Sequence, residues 1–229
     1  MPPETVMIFA AGRGTRMGAL TANRPKPLIE VAGKALIDHA LDLADAAAVP
    51  HRVANLHYLA DQLAPHLLRR GVRLSHETHC LLETGGGLKH ALPLLGPDPV
   101  FTINADAVWT GANPFNELAA AWEPRKMDAL LLLLPRAKAT GHKGAGDFHL
   151  TPGGQLERGP GLVYLGAQIL RTDGLGAVEE EVFSVNKIWD EIAARGRLFG
   201  TLHNGGWCDV GHPGGIAAAE AMLAETGDV

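Results

Sequence analysis

The apolar residues of this chain form short continuous runs, and between them lie longer stretches where apolar positions recur every three to four residues. The runs at 6–9, 51–56, 72–76, 100–104, 129–134, 162–170 and 198–203 read as strands, and the Leu-rich run at 130–134 reads as one buried on both faces. Leu36, Ile37, Ala40, Leu41, Ala44 and Ala47 share one helical stripe, with Asp38, Asp42 and Asp45 off it as a solvated face. Further helices read over 59–70, from the glycines at 85–87 onward through Leu95, over 113–122 with Asn113 as cap and Pro114 at the first helical position, over 186–195 and over 216–223. Strand and helix alternate, which predicts an α/β fold with parallel strands and right-handed crossovers. In such sheets ligands sit beyond the carboxyl ends of the strands.

At 229 residues the chain is long enough for one large α/β domain or two small ones, and a 46% apolar fraction supplies the core. A net charge of −5 argues against a nucleic-acid partner, so any affinity for phosphate must come from a local cluster of cations. The two cysteines, Cys80 and Cys208, fall outside any CxxC pattern, which predicts no disulfide framework. The run at 130–134 is too short to cross a bilayer, and residues 1–5 lead straight into a strand with no room for a signal peptide. The expectation is a cytoplasmic protein with no membrane partner.

Candidate chemistry begins with AAGRGTRM, residues 10–17, directly after the first strand. Gly12 and Gly14 lack the Cβ that would block a ligand from backbone N–H groups, and Arg13 and Arg16 bring forked donors that match phosphate oxygens. A tight turn with solvated arginines is the plainer reading. Gly12, Gly14 and Gly18 also approximate a dinucleotide fingerprint whose third glycine comes one residue late. Pro25 and Pro27 flank Lys26 and predict an extended segment, with the ammonium held near the same phosphates or simply solvated. In ETGGG the three glycines predict free helix N-terminal amides on the same rim, with Glu77 and Glu83 as acceptors for a base or for hydroxyls. Asp106 follows a strand end, where it is either a turn residue or a carboxylate joined to phosphate through Mg²⁺. Asp209, between glycines after Trp207, is a second acid for that rim, and the Gly-rich basic stretch 135–147 is a candidate lid. His76, His79 and Cys80 crowd together without a second pair of zinc ligands.

Taken in order, AAGRGTRM, RPKPL, LETGGG, INADAVW and WCDVG resemble the sugar-phosphate nucleotidyltransferases over nearly the whole chain, and within them the bacterial N-acetylmuramic acid 1-phosphate uridylyltransferases. The resemblance implies a Rossmann-like three-layer α/β/α fold of the GT-A kind with a mostly parallel mixed sheet. It implies one nucleotidyltransferase domain over 1–229, with a nucleotide-binding part at about 1–110, a sugar-binding part at about 111–205, a closing turn at Asp209 and a C-terminal helix. Ala11, Gly12, Gly14, Thr15 and Arg16 would then hold a triphosphate, with Lys26 on its α-phosphate. Glu77, Gly85 and Gly86 would line the nucleoside pocket. Asp106 and Asp209 would ligate Mg²⁺, and Asn104, Gly146, Asp147 and Glu157 would contact the sugar. Arg16, Lys26, Asp106 and Asp209 are the implied catalytic set, the substrates a nucleoside triphosphate and a sugar 1-phosphate, and the assembly a monomer or homodimer. The Glu-Lys-Pro element of many relatives has its nearest counterpart in Glu157, Arg158, Gly159 and Pro160, and Ala105 stands where many have Gly.

Three rival readings accompany this one. A guanylyl- or adenylyltransferase differs only in pocket contacts. A non-catalytic sugar-nucleotide sensor would not need the four charged residues. A dinucleotide-dependent oxidoreductase would want an acid closing the second strand, where His57 and Tyr58 stand instead.

Overall fold

Val6 and Ile8 point to one side of the first strand and Met7 to the other, and all three are fully buried. Leu130, Leu132 and Leu134 alternate with Leu131 and Leu133 in the same way, so the continuous apolar runs are strands covered on both faces. The computed structural model describes residues 2–226. Its strands are β1 (Thr5–Phe9), β2 (Glu30–Val31), β3 (Lys34–Ala35), β4 (His51–Leu56), β5 (Arg73–His76), β6 (Val100–Asn104), β7 (Ala107–Gly111), β8 (Ala129–Pro135), β9 (Ala139–Thr140), β10 (Phe148–Leu150), β11 (Leu156–Arg158), β12 (Leu162–Leu170), β13 (Leu198–Leu202) and β14 (Gly205–Asp209). The helices are α1 (Leu36–Ala46), α2 (Ala60–Arg69), α3 (Glu83–Leu95), α4 (Pro114–Ala121), α5 (Val185–Ala194) and α6 (Pro213–Thr226).

The main sheet has nine strands in the order β11-β10-β12-β6-β1-β4-β5, with β8 joined to β12 and β13 beyond it. It is mixed: β1 runs parallel to β4 and β6, β4 to β5, and β8 to β13, whereas β12 runs antiparallel to β6 and β8. Helices α1, α2 and α4 pack on one face and α3 and α5 on the other, which makes three layers. The chain passes from β1 to β4 and β5 on one side and returns to β6 on the other, so the carboxyl end of β1 is a topological switch point, where a crevice opens.

Seven strands escaped the sequence pattern: β2, β3, β7, β9, β10, β11 and β14. β7 and β14 pair antiparallel, with Trp109 opposite Trp207, and β9 adds in parallel to form a separate three-stranded sheet. GGWCD reads as a turn, and its partner lies about a hundred residues away, so no local signal marks the ladder. The segment around Lys26 is also corrected: Lys26–Leu28 forms one 3-10 turn, closed by Leu28 N–H donating to Pro25 O at 2.9 Å, rather than an extended segment. Pro27 sits early in that turn, where its fixed φ suits a helical start and its missing N–H is not needed.

A third apolar cluster joins Met17, Ile29, Val31, Val108, Cys208, Val210 and α6 residues Ala219 and Leu223. Met17, 1% exposed, thereby anchors the loop after β1 to the small sheet while its neighbours Thr15 and Arg16 face solvent.

Candidate active site

The loop leaving β1 is held from below. Ala10 N–H donates to the buried Asn55 Oδ1 at 2.8 Å, and Asn55 Nδ2 donates to Glu77 Oε1 at 2.6 Å. The other Glu77 oxygen accepts from Leu82 N–H at 2.9 Å, which ties β1, β4 and the approach to α3 into one buried chain of hydrogen bonds. Gly14 adopts a left-handed φ of 63°, and a Cβ there would meet Lys26 Cβ at 2.9 Å, so glycine is needed both for the turn and for the close approach of Lys26. At Gly12 a Cβ would meet nothing within 4 Å.

Lys26 is 7% exposed and its Nζ donates to Asp106 Oδ2 at 2.7 Å. Asp106 lies just past β6 and just before β7. Asp209 ends β14, paired in register with Ala107, while Val210 N–H donates to Asp106 O at 2.9 Å. The ladder therefore sets the two acids side by side. Burial raises the Asp209 carboxyl above its ordinary value, and the neighbouring Asp106 charge raises it further, against the opposing pull of Lys26 and Arg16. Arg16 Nη1 stands 3.9 Å from Asp209 Oδ2 with its side chain 69% exposed, too open for that pair to hold it.

These pieces enclose a cavity of about 310 Å³ whose wall includes Ala11, Gly12, Gly14, Thr15, Arg16, Lys26, Asn104 and Asp106. The family model for the MobA-like NTP transferase domain matches residues 6–142, from β1 through this cavity to the far side of β8. The chain belongs to the MobA-like NTP transferase family. Among its relatives, N-acetylmuramate alpha-1-phosphate uridylyltransferase of Caulobacter vibrioides is 43% identical over 97% of this chain and 98% of its own length. The enzyme so named in Neisseria meningitidis serogroup B is 32% identical over 94% and 96%. A UDP-glucose pyrophosphorylase solved with UDP-glucose superposes with a TM-score of 0.79 over 98% of this chain and 99% of its own, at 16% identity. HddC from Yersinia pseudotuberculosis superposes with a TM-score of 0.76 over 95% and 98%, at 18% identity. These two likenesses bear on the fold.

This NTP transferase has a second cavity of about 320 Å³, which shares Phe9, Thr84 and Asn104 with the first. Asn104 fits there because Gly166, at φ 85° within the irregular register of β12, leaves it room: a Cβ would stand 2.8 Å from Asn104 Nδ2. Asp147 and Arg158 line this second space. Asp147 Oδ2 accepts from Tyr164 N–H at 2.9 Å, and its other oxygen has no side-chain or backbone donor among the described residues.

Several expected residues stand elsewhere. Gly85 and Gly86 donate their N–H groups to Phe183 O at 2.9 and 3.0 Å, and both are buried against 181–183, so the amides are not free on the rim. Glu77 is 3% exposed with both oxygens engaged, under the loop rather than on a cavity wall. Arg13 is exposed away from the first cavity, Glu157 lies on the exposed side of β11, and Gly146 packs against the Gly161 backbone. Among the described residues no group of three His, Cys, Asp or Glu could hold a metal ion, and no helix is long and apolar enough to cross a membrane. Residues the sequence did not point to include Asn55 and Thr84, whereas Glu83, expected as an acceptor for a base or for hydroxyls, stands on the cavity wall at a left-handed φ of 62°. A polar residue in an apolar strand was the one available signal for Asn55.

Proposed function

We propose that this protein transfers a uridylyl group from UTP to N-acetylmuramic acid 1-phosphate, releasing pyrophosphate and forming UDP-N-acetylmuramic acid. The observation that carries the reading is two adjoining cavities at one sheet rim, the first lined by the Gly-rich loop, Lys26 and Asp106, with Asp209 beside Asp106 on the β7–β14 ladder, and the second opening from it past Asn104. Relatives at 43% and 32% identity with that name, matched over nearly their full lengths, support the choice of substrates.

The nucleophile is the sugar phosphate itself, already anionic at pH 7, so no general base is required. The barrier is repulsion between two anions and their alignment in line. In this reading the backbone of 11–14 cradles the triphosphate, Arg16 reaches its outer oxygens, and Lys26 turns its ammonium from Asp106 to the α-phosphate. Asn104, common to both cavities, holds the sugar phosphate at the junction. Asp106 and Asp209 are hard oxygen donors on adjoining ladder positions, and burial, then the neighbouring Asp106 charge, raises the Asp209 pKa. Two carboxylates without further protein ligands suit Mg²⁺, which keeps the rest of its shell for water and phosphate. When bound there, Mg²⁺ would supply charge neutralisation between the two phosphates. UTP and the sugar phosphate are metabolites of the cytoplasm, which is where this reading puts the reaction.

The test is pyrophosphate release from a panel of nucleoside triphosphates with N-acetylmuramic acid 1-phosphate. UTP is expected to exceed GTP, ATP and CTP. A faster reaction with GTP for every sugar phosphate would overturn the base assignment.

A further inference from the structure

The phosphate-directed cations, Arg16 and Lys26, both belong to the first cavity, yet the second has a cation of its own: Arg158, the one basic residue on its wall. Its guanidinium is placed with care. It lies 4.8 Å over the Phe148 ring and 5.4 Å over the Trp189 ring. Trp189 is itself fixed by a buried relay, its Nε1–H donating to Gln168 Oε1 at 2.8 Å and Gln168 Nε2 donating to Thr102 Oγ1 at 3.1 Å. Arg158 Nε and Nη2 donate to Asp190 Oδ1 at 3.0 and 2.9 Å, and Nη2 also donates to Asn186 Oδ1 at 3.0 Å. The Nη1 group donates to nothing among the described residues.

An exposed ion pair of this kind contributes little stability, since both side chains are solvated, at 42% and 63% exposure. Its effect is to aim the fork. Arg158 lines the second cavity and not the first, so it stands away from the wall that the two share. The start of α5, at Ser184–Asn186, lines the same space and adds the positive end of a helix. Asp147 is the one acid on this wall, and one of its oxygens is already taken by Tyr164 N–H.

We infer that Arg158 is a specificity-determining residue that binds a carboxylate carried on the sugar ring, and that the second cavity selects acidic sugar 1-phosphates over their uncharged counterparts. The inference rests on the reaction proposed above and names the group that distinguishes N-acetylmuramic acid 1-phosphate from N-acetylglucosamine 1-phosphate, its lactyl carboxylate.

The experiment compares kcat/KM for those two sugar phosphates, with UTP held saturating, in the wild type, Arg158→Gln and Arg158→Lys. Losing one charge-assisted hydrogen-bonding partner predicts a fall of about 10- to 100-fold for the acidic sugar in Arg158→Gln. The other sugar should change less than about threefold, and Arg158→Lys should recover part of the difference by keeping charge without the fork. Equal losses on both sugars would overturn the inference by assigning Arg158 to the shared phosphate or ring, and no loss on either would remove it from recognition. A wild type that turns over neither sugar overturns the proposed reaction instead. Calorimetric binding of the same two sugar phosphates then decides Arg158 separately, because the acidic one must bind tighter and lose that advantage in Arg158→Gln, or the inference fails.

Discussion

Gly12 and Gly14 are two residues apart in one loop, and alanine should act on them through different physics. At Gly12 the added methyl meets no atom within 4 Å and φ lies outside the left-handed region, so the fold loses nothing. A Gly→Ala change at such a position stabilises by about 0.4–1 kcal/mol through the unfolded chain. For a domain of this size that is a rise of roughly 1–4 °C in Tm. The methyl instead occupies the space where a triphosphate would approach the backbone, and displacing it by about 1 Å predicts a loss near 10²-fold in kcat/KM. At Gly14 the residue sits at φ 63° and the methyl would stand 2.9 Å from Lys26 Cβ and 3.0 Å from Thr21 Cγ2. The left-handed conformation alone costs about 1–2 kcal/mol, so Tm should fall by roughly 2–8 °C and activity should fall with Lys26 displaced. The assay is thermal unfolding beside UTP-dependent pyrophosphate release for each variant. Wild-type kcat/KM in Gly12→Ala, or a drop in its Tm, would refute the claim that Gly12 serves the ligand rather than the fold.

Asp209→Asn should raise Tm at neutral pH while reducing turnover by at least about 10²-fold. The folded protein holds this carboxyl at a raised pKa, so ionisation costs stability above the ordinary carboxylate range, and the variant's advantage should vanish in acid where both states are protonated. Melting curves across pH check the sign. Lys26→Met, close in length and without charge, should reduce kcat by about 10²–10³-fold, with far-UV circular dichroism unchanged. Gly86→Ala places a methyl 2.1 Å from Glu181 O, a backbone atom with nowhere to go, and should destabilise by about 1–3 kcal/mol in urea unfolding.

The central strands are legible because strands covered on both faces need unbroken apolar runs, and 51–56 and 162–170 coincide with β4 and β12 residue for residue, although β12 runs antiparallel where the alternation of strand and helix predicts parallel strands. The rim is legible in part, since Gly12, Gly14 and Asp106 follow closely on strand ends that the pattern marks, whereas Lys26 stands out by its flanking prolines. What escaped was non-local. The glycines at 85–87 read as an open helix start, but the segment 181–183 closes over them, and nothing near residue 85 announces a partner a hundred residues later. The pairing of β7 with β14 was hidden for the same reason. Glu77 reads as an acceptor for a base or for hydroxyls, whereas its place under Asn55 depends on two strands meeting in space.

The separation of the Asp106 and Asp209 backbones is governed by main-chain bonds between β7 and β14. Residues 112–204, which include most of the second cavity's wall from Asp147 to Trp189, lie between the two arms of that ladder. Changes of side chain in this interval can therefore reshape what the second cavity accepts while the carboxylate pair keeps its spacing, so new sugar preferences should be reachable without rebuilding the reacting end of the site.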